Sequence, residues 1–65
     1  MFAKLIVEMK RNKISQADLA KTLGITQAAV AYKLSPYGDF KSEEMMKIQE
    51  KFFPDKYLKA LFTKT

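Results

Sequence analysis

The apolar positions of this chain recur at helical spacing. Phe2, Leu5, Ile6 and Met9 fall at i, i+3, i+4 and i+7, the stripe of an amphipathic helix that should end near Arg11–Asn12. Lys10 and Arg11 then stand at its negative end, where the helix dipole favours cations. Ile14 precedes Ser15, a good N-cap residue, and Asp18 three positions on makes a capping box with Asp in the more usual place of Glu. A second helix is expected from about Gln16 to Leu23, with Leu19, Ala20 and Leu23 turned inward. Gly24 follows the last apolar residue, where a left-handed backbone is cheap only for glycine. Thr26 is placed to cap a third helix from about Gln27 to Leu34, and Pro36 stops it.

The second half of the chain reads in the same way. Pro36-Tyr-Gly-Asp39 is a turn signal. Ser42 is expected to cap a fourth helix, with Glu43 and Glu44 in its first turn. Met45, Ile48 and Phe52 form its buried stripe, flanked by Met46 and Phe53. Pro54-Asp55 breaks the chain, with Asp55 as the expected cap of a last short helix. Tyr57, Leu58, Leu61 and Phe62 share one face of that helix, which either packs on the domain's own core or docks a protein partner or a second copy. Lys64 and Thr65 are expected to fray. No strand pattern competes, so the fold class is all-α: four to five short helices in one bundle, a single domain over residues 1–65 without linker or repeat.

Composition narrows the chemistry. The 65 residues include no cysteine and no histidine, which removes disulfides, thiolate metal sites and the commonest general base. Glu43 and Glu44 are adjacent and diverge by about 100° on a helix, so they cannot face a common substrate. No phosphate loop or nucleophile with a base is present, and neither catalysis, a metal nor a cofactor is expected. No apolar run approaches the roughly 20 residues of a membrane span. Met1–Met9 is too short and, with Glu8, too acidic for a signal peptide. A cytoplasmic location is expected.

Charge points to a polyanion. The formal net charge is +5, and it is unevenly placed. Residues 10–41 hold six basic and two acidic side chains, a net of +4, whereas residues 42–65 hold five and four, a net of +1. Such a balance fits nucleic acid first and an anionic membrane second. The lysines form no continuous helical face, which disfavours the membrane.

The basic region coincides with LAKTLGITQAAVAYKL, residues 19–34. Two helices joined by a short glycine turn make a helix-turn-helix candidate over about residues 15–34. Ala20 is small enough for close helix crossing, Gly24 permits the turn, Ile25 plugs the corner and Val30 locks the third helix. Residues 14–34, ISQADLAKTLGITQAAVAYKL, resemble the helix-turn-helix of the phage repressor and Cro family, whose DNA-binding domains are five-helix and lambda-repressor-like. The motif covers about a third of the chain, on Ser15-Gln16, Leu19-Ala20, Leu23-Gly24-Ile25 and Thr26-Gln27 together.

That resemblance implies roles. The third helix would be the recognition helix, with Gln27 reading adenine in the major groove. Gln16, eleven residues earlier, would contact phosphate and brace Gln27. Ala28, Ala31 and Tyr32 should share the outer face with Gln27. The alanines either permit close approach and meet thymine methyls or are simply good helix formers. Tyr32 either reaches DNA or lies against the fourth helix. Lys13, Lys21, Lys33 and Lys41, with Ser15 and Tyr37, are candidate phosphate contacts, while Lys47, Lys51, Lys56 and Lys59 are expected to face solvent.

Lys33 departs from the family, whose members usually carry an apolar residue there. Either Leu34 fills the core instead, or Lys33 buries its stem and brings its ammonium to the DNA backbone. The expected function is a sequence-specific duplex-DNA-binding regulator, a Cro-like repressor that occupies an operator as a homodimer and needs no small-molecule ligand. The competing expectation is a protein-interaction module of antitoxin or antirepressor type on the same fold.

Overall fold

The computed structural model describes residues 2–63, so Lys64 and Thr65 lie outside it. Five helices follow in order: α1 (Ala3–Arg11), α2 (Gln16–Leu23), α3 (Gln27–Leu34), α4 (Ser42–Phe52) and α5 (Leu58–Leu61). No strand occurs among the described residues. Among the described residues, no helix is long and apolar enough to cross a membrane.

The ends of α1 to α3 are set by local chemistry. After α1, the Lys13 N–H donates to the Lys10 carbonyl at 3.3 Å and the Ile14 N–H to the Met9 carbonyl at 2.8 Å. This is a Schellman pattern, which wants glycine at the left-handed position. Lys13 occupies that position instead, at φ 55°. The Ser15 N–H donates to Asp18 Oδ2 at 2.8 Å and the Asp18 N–H to Ser15 Oγ at 3.2 Å, so the capping box forms as expected. Gly24 is left-handed at φ 70°, and the Ile25 N–H closes the turn on the Ala20 carbonyl at 3.0 Å. Thr26 Oγ1 accepts from the Ala29 N–H at 3.1 Å and starts α3.

Two expected caps are corrected. Ser42 is the first residue of α4, not its cap; Lys41 holds that place. The cause is Glu44, whose Oε1 accepts the Lys41 N–H at 2.8 Å and starts the helix one residue early. Asp55 does not cap α5, which begins after Tyr57. Gln49 instead holds the α4–α5 turn, its Nε2 donating to the Lys56 carbonyl at 3.0 Å and the Phe53 carbonyl at 3.3 Å.

α2 packs against α3 and α4, and α5 packs against α1 and α4. Leu5, Leu19, Val30 and Ile48 are fully enclosed, one from each of the first four helices. Phe2, Phe40 and Phe62 meet edge to face at centroid distances of 5.3 to 5.9 Å, joining the start of α1, the α3–α4 loop and the end of α5. Phe53, expected at the margin of the α4 stripe, is buried more deeply than Phe52, because it ends the helix and turns into the core.

Candidate nucleic-acid interface

α3 divides cleanly into two sides. Val30 and Leu34 are buried, which fixes the helix against the core and leaves the opposite side outward. Gln27, Ala28, Ala31 and Tyr32 are all exposed, Tyr32 by 61%. The outward position of Tyr32 removes the alternative in which it lies against the fourth helix. The resulting strip carries an amide, two methyl groups and a phenol, with no acidic group.

Lys33 lies on the flank of α3 that faces α4. Its Nζ stands 3.1 Å from Glu44 Oε1, and both side chains are largely covered, 20% and 16% exposed. Leu34 fills the core as the first alternative had it. The lysine stem is covered as the second had it, but its ammonium goes to Glu44. Lys33 is therefore withdrawn from the expected phosphate contacts. Burial pushes the Glu44 carboxyl upward, but the Lys41 N–H, the Lys33 hydrogen bond and the two lysine charges outweigh it, and the net pKa falls below the ordinary value.

Ser15 is also engaged. Its hydroxyl donates to Asp18 Oδ2 at 3.0 Å while accepting from the Asp18 N–H, and its own N–H donates to the same oxygen. No donor is left for a phosphate, so Ser15 acts here as a cap. The Ser15 N–H, then the Ser15 hydroxyl, hold the Asp18 carboxyl below its usual pKa. Lys21, a candidate phosphate contact, is exposed on α2 and lines a cleft of α2 and α4 with Asp18, Thr22, Lys51 and Phe52. Lys51, expected to face solvent, is exposed beside it.

Gln16 is exposed at the start of α2 and borders a pocket of about 230 Å³ lined by Ile6, Met9, Lys10, Ile14 and Leu34. Among the described residues no hydrogen bond joins Gln16 to Gln27 in the absence of DNA. Lys13 is exposed just before α2. Tyr37 is 86% exposed on the α3–α4 loop, and Lys41 is exposed at its end.

The face expected of α5 is largely covered. Leu61 and Phe62 are buried, Leu58 is half-buried and only Tyr57 projects, being 85% exposed. Tyr57 stands outside the helix in extended backbone, which turns it away from its three neighbours. As a docking face for a second copy, the four residues do not act together.

Sequence reasoning missed Glu44 as an anchor of α3 and Gly38 as a packing point. The three-residue step from Lys41 to Glu44 has capping-box spacing and signals half of the first role. The reach to Lys33 is tertiary and has no sequence signal. Among the described residues, no three acidic side chains gather as a metal site. Compared with protein-family models, curated proteins and solved structures, the chain gives no significant match to any of them.

Proposed function

We propose that this protein is a sequence-specific, duplex-DNA-binding transcriptional regulator of the Cro type. In this reading α2 and α3 form a helix-turn-helix around Gly24, and the outward side of α3 enters the major groove. The observation that carries it is the exposure of Gln27, Ala28, Ala31 and Tyr32 together on one short helix whose other side is buried. Gln27 reads a base edge, while Lys13, Lys41, Gln16 and Tyr37 supply the backbone contacts that fix register. The regulator occupies an operator and blocks polymerase.

Size supports a two-copy complex. The molecule measures 27 × 23 × 22 Å, less than the roughly 34 Å turn that separates half-sites, so one copy covers one half-site. The apolar face of α5, the surface named for the rival reading as a protein-docking module, has Leu61 and Phe62 buried and offers a partner little of itself.

The test is selection from random duplex DNA at about 150 mM salt, with sequencing of the retained fraction. A two-fold symmetric motif with half-sites about 10 bp apart supports the dimeric operator binder. Retention without a motif reduces the reading to charge alone, and no retention overturns it.

A further inference from the structure

If α3 enters the major groove, its chemistry restricts what it can read. We infer that the half-site is specified by A·T base pairs, and that Glu44 enforces this by withholding the one cation α3 possesses. Guanine is usually recognised by a bidentate arginine or lysine at O6 and N7. The single arginine of the chain, Arg11, ends α1 and lies 3.7 Å from Glu8. α3 itself contains one basic residue, Lys33, and its ammonium is held 3.1 Å from Glu44 Oε1. Glu44 is in turn fixed by the Lys41 N–H at 2.8 Å, so the holder is itself positioned.

What remains on the outward strip is neutral. The Gln27 amide pairs with adenine N6 and N7, donor to acceptor and acceptor to donor. Ala28 and Ala31 offer methyl groups, which favour the thymine C5-methyl over cytosine. The Tyr32 phenol gives one hydrogen bond to a purine N7 or a phosphate and does not discriminate by itself. A carboxylate that accepts from cytosine N4 is absent from α3. The strip therefore has groups that favour adenine and thymine and none that selects a G·C pair.

Two measurements test this. Selection from a random duplex library with the wild-type chain gives the motif, and repeating it with Q27A marks the positions that the Gln27 amide reads. Those positions are expected to be A·T. The salt dependence of binding to the selected duplex is then compared for the wild type and K33Q by fluorescence anisotropy. The motif and the slope of log K against log salt are expected to be unchanged, because Lys33 touches no phosphate. Guanine at the marked positions overturns the inference, as does a K33Q slope shallower by about 0.9, the loss of one phosphate contact. A motif containing guanine leaves the DNA-binding reading standing, whereas no motif at all removes both. Should K33Q fail to fold, the wild-type motif alone decides.

Discussion

Gly38 is buried directly beneath the end of α3, where a Cβ would run into the Tyr32 carbonyl oxygen and lie 2.6 Å from Lys33 Cα. The obstacle is backbone, which cannot rotate away. Gly24 is the opposite case, with open space around it and a left-handed φ of 70°. Gly24→Ala is expected to cost about 1–2 kcal/mol through backbone conformation alone. Gly38→Ala must also displace the loop from α3, and overpacking adds about 1–3 kcal/mol or more. A single core of this size supplies only about 3–5 kcal/mol. Urea titration should therefore show a shifted but cooperative transition for Gly24→Ala and a largely unfolded Gly38→Ala. Equal effects would mean that the loop yields easily.

Much of the fold was legible because its signals are local. Ser15 with Asp18, Gly24 and Thr26 each set a helix end through neighbours within a few residues, and α1 to α3 fall where the pattern placed them. The strip from Gln27 to Tyr32 follows from helical period and the burial of Val30. What stayed hidden is tertiary. Lys33 meets Glu44 eleven residues away across two helices, Phe2 meets Phe40 and Phe62, and Gly38 closes on Tyr32. Tyr57 and Phe62 looked alike by spacing, yet one projects and the other is buried, because α5 is too short for its period to hold beyond one turn.

Asp18 and Glu44 give stability a predicted pH dependence. Both carboxyls have native pKa values below their ordinary ones. Below about pH 4, where free carboxylates titrate, the unfolded chain therefore takes up protons before the folded one does. Their stabilisation is complete above that range and is lost as pH falls through the lowered native values. Thermal melts followed by circular dichroism should be level from neutral pH to about pH 5 and fall below about pH 4. The double variant D18N/E44Q should show a shallower fall, and one as steep as the wild type would exclude these two groups as its source.

Lys13 is expected to set stability against DNA binding. A lysine at φ 55° closes the Schellman turn where glycine is preferred, and a left-handed side chain costs about 1 kcal/mol. Lys13→Gly is expected to raise stability by about 0.5–1 kcal/mol, less than the strain relieved because glycine also frees the unfolded chain. The same change removes a cation beside the start of α2. DNA affinity should fall uniformly across sequences, with a salt slope shallower by about 0.9. Denaturation and anisotropy on the same preparation separate the two effects. A stabilised variant with unchanged salt slope would place Lys13 away from phosphate.

Gln27 and Gln16 should fail in different ways, although both are exposed glutamines at the first position of a helix. Gln27 opens α3 and is exposed with Ala28 and Ala31, and in the proposed complex its amide would meet a base edge. Losing a bidentate base contact costs about 1–3 kcal/mol of discrimination. Gln27→Ala should weaken binding to the selected duplex by about five- to 150-fold and leave binding to a scrambled duplex nearly unchanged. Gln16 borders the same pocket as Lys10 at the start of α2 and in the proposed complex would contact the DNA backbone, so Gln16→Ala should weaken both duplexes alike. Because the two side chains share no hydrogen bond, the double variant should show the sum of the single effects. A strong departure from additivity would mean that the pair closes into a brace only on DNA.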